Sequence, residues 1–110
     1  HGSYSATIKD ALDYCGKDEF EDTTVGLLAT AGGGSYASTL DHLRVVVRTI
    51  HGLTVPHQVG IRGAYDEFDG DHLTDDDLRD RVEELGREVT RYAAVEPRAP
   101  AEHAARCDDD

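Results

Sequence analysis

Methionine and tryptophan are absent from the 110 residues, and only Cys15 and Cys107 supply thiols. Two cysteines are too few for a disulfide framework. No apolar stretch approaches the length of a membrane-spanning helix and no signal-peptide pattern opens the chain, so a cytoplasmic location is expected. Positive charge is scarce as well, with 11 basic residues against 23 acidic ones and a formal net charge of −12. Such a chain lacks the cationic surface that a phosphate backbone requires, which excludes nucleic acid as a partner. Anionic membrane headgroups repel it for the same reason. Aromatic residues make up only 6% and hydrophobic residues 38%, which leaves material for a small core.

What the chain has in quantity is acid. Lys9 and Lys17 are the only lysines, the remaining basic residues are arginine, and aspartate outnumbers glutamate. A carboxylate-rich, lysine-poor surface stays hydrated in concentrated salt, where screening removes its self-repulsion. A halophilic setting is therefore expected. The chain begins at His1 rather than methionine, which points to processing or truncation.

Three helices and two strands are predicted. The first helix covers about residues 4–14, with Ser3 and Ser5 as N-cap candidates, Ile8, Ala11, Leu12 and Cys15 on one face, and Gly16 at its end. Residues 17–22 form an acidic connector. Thr23 to Thr30 is nearly continuously apolar, the pattern of a strand buried on both faces of a parallel sheet. A glycine-rich turn over residues 31–35 leads to a helix starting near Ser38, with Asp41 completing a capping pair. Leu40, Leu43, Val47 and Ile50 make the buried stripe of that helix, and Gly52 closes it. Leu53 to Ile61 is a second strand, whose Pro56 suits the sheet edge. A loop over residues 62–73 follows. Thr74 and Asp77 then cap a long helix with Leu78, Val82, Leu85, Val89 and Tyr92 on its apolar face. From Val95 onward a disordered acidic tail is expected, leaving residues 1–94 as the folded unit.

Alternation of helices and strands implies an α/β protein with parallel crossovers. Two strands cannot cover three apolar helix faces, and the first helix has no strand before it. The chain therefore reads as the C-terminal half of a larger domain, with His1 in the loop after a missing strand. In an open parallel sheet, ligands bind beyond the carboxyl ends of the strands. Residues 1–5, 31–38 and 62–73 lie at that edge. Gly2 and Gly32 to Gly34 would let backbone approach a flat ligand, although tight strand-to-helix turns explain these glycines equally well.

Gly32, Gly34 and Ala37 also satisfy the dinucleotide fingerprint G-x-G-x-x-A, but no acidic residue stands at the end of the next strand, Ile61-Arg62, to hold a ribose. An EF-hand register centred on Gly70 puts Tyr65 where a carboxylate is required. The histidines and cysteines show no zinc-ligand spacing. Ser35 or Ser38 with His42 lacks a recognisable third member, so Ser38 reads as a cap and His57 as structural. A non-enzymatic acidic interaction module and a Rossmann-type fragment stay open as alternatives.

Five segments in order carry a resemblance to a known family. His1-Gly2-Ser3 is similar to the end of a Pro-Glu-Tyr-Asn-Gly-Ser loop, with histidine in the asparagine place. Ile8-Lys9-Asp10-Ala11-Leu12-Asp13 is similar to a Leu-Lys-Asn-Ala-Ile-Asp helix. Leu27 to Gly33 echoes a strand and its Ser-x-Gly-Gly turn, and Leu43-Arg44 a Leu-Arg pair in the next helix. Phe68-Asp69-Gly70, Leu73-Thr74-Asp75 and Leu78-Arg79 resemble a closing segment. Together they resemble the NADPH-dependent FMN reductases, which include azo-dye and quinone reductases.

The resemblance implies a flavodoxin-like, doubly wound parallel sheet, here truncated, with FMN bound non-covalently at the strand ends. It implies hydride transfer from NAD(P)H to the flavin and reduction of a small-molecule acceptor such as a quinone, an azo compound or free flavin. Implied flavin-binding residues are His1, Gly2 and Ser3 from the first loop and Thr30, Ala31, Gly32 and Gly33 from the second, with no side-chain acid or base and no metal. A homo-oligomer is implied for the full-length protein. The family's serine-rich phosphate loop is not in this sequence, so the chain by itself is expected neither to fold stably nor to hold FMN.

Overall fold

A computed structural model describes residues 1–32 and 36–95, without the side chain of Tyr65. Gly33 and, apart from Val95, the expected tail lie outside the described residues. The chain runs α1 (Ala6–Asp13), α2 (Lys17–Phe20), β1 (Thr24–Thr30), α3 (Ala37–Thr49), β2 (Leu53–Ile61), α4 (Ala64–Glu67), β3 (Phe68–Asp69), β4 (His72–Leu73) and α5 (Asp76–Ala93). β1 and β2 pair in parallel, and β3 and β4 form a separate antiparallel hairpin. This is a mixed α/β fold of the expected class, consistent with a flavodoxin-like arrangement.

Helices cover both faces of the parallel pair. On one face Leu40, Leu43 and Val47 of α3 bury against Leu27 and Ala29 of β1, with Tyr4, Leu12, Val25 and Tyr36 around them. On the other, Leu85 of α5 packs with Val55, Val59 and Ile61 of β2, flanked by Leu78, Val82, Val89 and Tyr92. These are the stripes the periodicity predicts for α3 and α5, except that Ile50 is only half-buried as the C-cap of α3. Each fully buried aliphatic side chain contributes about 1.5–3 kcal/mol. Gly26 is the point where α5 meets β1. A Cβ there would lie 2.6 Å from a Val89 methyl and 3.1 Å from Leu85.

β1 is not buried on both faces: Thr24, Val25 and Gly26 are half-buried, Leu27 and Ala29 are buried, and Leu28 between them is 41% exposed. α1 contributes Leu12 to the core, whereas Ile8 and Ala11 of the predicted face are exposed. Residues 17–22 contain a helical turn rather than a plain connector, because Gly16 caps α2: its N–H donates to Glu19 Oε2 at 2.7 Å. α1 itself ends earlier, at a Tyr14 cap. Gly52 does not take the left-handed position after α3. His51 does, at φ 72°, and Gly52 instead allows close packing, since a Cβ would sit 2.7 Å from Val47. The predicted loop over residues 62–73 contains α4 and the β3–β4 hairpin. α5 is capped by Asp75, which accepts from the Leu78 N–H at 3.1 Å, not by Thr74.

β2 carries an irregularity that periodicity does not reveal. Val25 pairs with Thr54 but Leu27 pairs with Gln58, so two steps along β1 match four along β2. β2 thus holds two extra residues, and Val55, Pro56 and His57 have no partner in the register. Arg44 of α3 replaces them: its Nη2 donates to the carbonyls of Val55 and Pro56, both at 3.0 Å, and its Nε to Gln58 Oε1 at 2.8 Å. From the opposite layer, Glu88 Oε1 accepts from the His57 N–H at 3.0 Å. A planar guanidinium suits two adjacent carbonyls and an amide, which an ammonium group could not span together. Arg44→Leu removes the donor to the part-buried Val55 carbonyl and to Gln58 and is expected to cost about 1–3 kcal/mol in urea unfolding, whereas Arg48→Leu, on the exposed face of α3, should stay within about 0.5 kcal/mol.

Candidate functional site

At the carboxyl end of β1 lies a cleft of about 580 Å³ between that strand, the N-terminal segment and α3. Leu28, Ala29 and Thr30 all line it. Consecutive strand residues point to opposite faces, so one cleft touching all three lies at the edge of β1 that β2 does not occupy. His1, Ser3 and Ser5 line it from the N-terminal segment, Ile8 from α1, and Thr39 and Leu43 from α3.

The N-terminal segment is held in place by α3. Ser38 Oγ donates to the Gly2 carbonyl at 2.7 Å, and Ser3 Oγ is 2.7 Å from His42 Nδ1. The Tyr4 ring meets the His42 ring edge-on, centroids 6.3 Å apart. Gly2 adopts φ +85°, with nothing within 4 Å of where a Cβ would stand, so its backbone is open to approach from outside. Ser5 caps α1 by accepting from the Ile8 N–H at 3.4 Å. Ahead of that point the first amides of α1 have no intrahelical acceptor, as at any helix start. Lys9, the cation nearest this segment in sequence, is turned to Asp13 one turn along, and that hydrogen bond raises the Lys9 pKa.

The second loop is fixed by backbone bonds. Ala31 N–H donates to the Ile61 carbonyl at 2.8 Å, and the Ala31 carbonyl accepts from Ala64 N–H at 2.9 Å. Tyr36, the residue ahead of α3, lays its ring over Gly60, where a Cβ would overlap the ring as it stands. The Arg62 guanidinium sits 5.7 Å from the same ring.

Of the predicted ligand-binding residues, His1, Ser3 and Thr30 are brought together on the cleft. Gly2 stands beside it with its carbonyl on Ser38. Ala31 is half-buried under the β2–α4 connection, and Gly32 is exposed. Ser38 is not the cap that its position suggests, because α3 begins with Tyr36 as N-cap and the Ser38 hydroxyl reaches across to the N-terminal segment. His42, set aside in the sequence for want of a triad, is the partner of Ser3. No local signal identifies either role, since residues 36 and 39 positions away in sequence supply the partners. His57 is bound through its ring Nε2 to the Arg81 carbonyl at 3.1 Å. Among the described residues no group of three or more His, Cys, Asp or Glu side chains could hold a metal ion, and no helix is long and apolar enough to cross a membrane.

A protein-family model described as NADPH-dependent FMN reductase matches residues 1–66. The chain belongs to the NADPH-dependent FMN reductase family. The match takes in the N-terminal segment, the β1–α3 turn and the whole parallel pair, and so includes every residue on the cleft. Among similar proteins are the FMN-dependent NADPH-azoreductases of Staphylococcus aureus strains USA300 and NCTC 8325, each 46% identical over 59 residues. That stretch is 54% of this chain and 31% of each relative, so the chain spans about a third of the length of the relatives it matches. Family membership argues against a Rossmann dinucleotide unit.

FMN reductases of this family take FMN as their cofactor, and the cleft suits the ring half of that molecule. Leu28 and Ile8 offer apolar surface, both partly exposed, while Thr30 offers a hydroxyl and Gly2 an unobstructed backbone. No lysine or arginine lines the cleft. The Tyr36–Gly60 contact should govern how firmly the second loop is held. Gly60→Ala is expected to cost about 1–3 kcal/mol through overpacking, and in a double-mutant cycle Tyr36→Ala should relieve much of that cost, giving measurable coupling in thermal or urea unfolding.

Proposed function

We propose that this chain is the flavin-ring-binding part of an NAD(P)H-dependent FMN reductase whose acceptor is a small molecule such as an azo compound, a quinone or free flavin. When bound, FMN accepts a hydride from NAD(P)H and passes the electrons on. The cleft at the open edge of β1, apolar at Leu28 and Ile8 and rimmed by backbone and hydroxyls, carries this reading. His1, Gly2 and Ser3 bind the ring from one side, and Thr30, Ala31, Gly32 and Gly33 from the other. Gly2, Ser3 and the glycines of the second loop serve by letting main chain come close, and Thr30 by presenting a hydroxyl to polar ring edges. No side chain is assigned as acid or base.

The functional unit is residues 1–94, homo-oligomeric in the full-length protein. By itself the 110-residue chain is inactive as a reductase and holds FMN only weakly, because a phosphate-binding loop is not among its residues. The test is a flavin titration followed by fluorescence quenching. Saturable binding is expected, with riboflavin about as effective as FMN and both lost on desalting. Binding of neither flavin overturns the ring site, and stoichiometric FMN surviving desalting overturns the weak-binding part.

The acidic surface is read as fitted to concentrated salt. Raising potassium chloride from low to molar concentration should raise the thermal midpoint. A midpoint that falls or stays level overturns the halophilic reading.

A further inference from the structure

We propose that Ser38 and His42 form a two-point clamp that positions Gly2 and Ser3 for the flavin ring, an inference that rests on the FMN-binding reading above. The two side chains stand at i and i+4 on α3, one helical turn apart on the same side. They take hold of two consecutive residues of the N-terminal segment: Ser38 Oγ donates to the Gly2 carbonyl and His42 Nδ1 pairs with Ser3 Oγ, each at 2.7 Å. The Tyr4 ring, edge-on to His42 and packed on the α3 core cluster, continues the attachment one residue further. Three successive residues, Gly2, Ser3 and Tyr4, are thus registered against one helix.

The clamp has a directional consequence. Across a trans peptide the C=O and the following N–H point in opposite directions. Turning the Gly2 carbonyl onto Ser38 therefore commits the Ser3 N–H away from Ser38. Gly2 at φ +85° allows this turn, which a residue with a Cβ takes up only under strain. Ser3 lines the cleft, whereas Ser38 and His42 do not. They act through the loop and are positioning residues. A preset loop avoids the ordering cost that a free segment incurs when it binds a ligand.

The test uses the full 110-residue chain, isotopically labelled, with FMN as the probe and amide resonances of Gly2, Ser3 and Thr30 as the readout. FMN should shift these resonances together in the parent chain. Ser38→Ala and His42→Leu should each raise the half-saturating FMN concentration by about threefold to tenfold, the span of one net hydrogen bond. His42→Asn, whose amide places a polar atom where Nδ1 stands, should remain within about twofold of the parent. Ser3→Ala removes the same bond without altering α3 and should match His42→Leu, which decides the matter if the helix variants unfold on melting. No shift in the parent overturns the FMN reading and the clamp together. Shifts with equal half-saturation in the parent, Ser3→Ala and Ser38→Ala overturn the clamp alone, as does a His42→Asn chain that binds no better than His42→Leu.

Discussion

The burial of Leu40, Leu43 and Val47 against Leu27 and Ala29 sets α3 across β1, and the polar residues of that helix are carried into place by this contact. Arg44, one position after Leu43, is delivered to the irregular part of β2, where it binds the Val55 and Pro56 carbonyls. Ser38 and His42, nearer the start of the helix, are delivered to the N-terminal segment. One apolar stripe thus positions polar groups on both sides of itself. The free energy lies in the stripe, and the specificity lies in the residues between its members.

The site follows from how a parallel pair ends. β1 has β2 along one edge and the cleft along the other, and α5 covers β1 at Gly26 but not at Leu28. That leaves apolar surface at the carboxyl end of a strand, next to a helix start and to a glycine with open space around it. Such a place suits a flat, partly apolar ligand with polar edges. The absence of lysine and arginine from the lining fits a chain whose net charge is −12. A flavin ring meets that description.

Much of the architecture was legible from periodicity. The apolar stripe of α5 at Leu78, Val82, Leu85, Val89 and Tyr92 is the one packed in the second core cluster, because a helix with one wet face must repeat its apolar residues at helical spacing. Both strands were legible as short, largely apolar runs rather than from a period. Glycine was a poorer guide. Gly16 stands where the pattern ends one helix but caps the next, and Gly52 stands where α3 closes while His51 takes the left-handed conformation there. A glycine can serve backbone conformation or close packing, and only the neighbours in space distinguish the two.

For the candidate site, sequence resemblance named the two loops, and His1, Ser3 and Thr30 of those loops share the cleft. The residues that hold the first loop were not legible, since Ser38 near a helix start looks like a cap and His42 looks like an incomplete catalytic pair. Chemistry at these positions depends on partners more than thirty residues away, and local spacing carries no record of them. By itself the sequence determined what local physics can decide: the helical and strand periods, the acidic surface and the motifs shared with FMN reductases. Tertiary structure alone decided the bulge in β2, its Arg44 and Glu88 ties, and the grip of α3 on the N-terminal segment. Those depend on how far one element slides along another, and that offset is set by packing rather than by pattern.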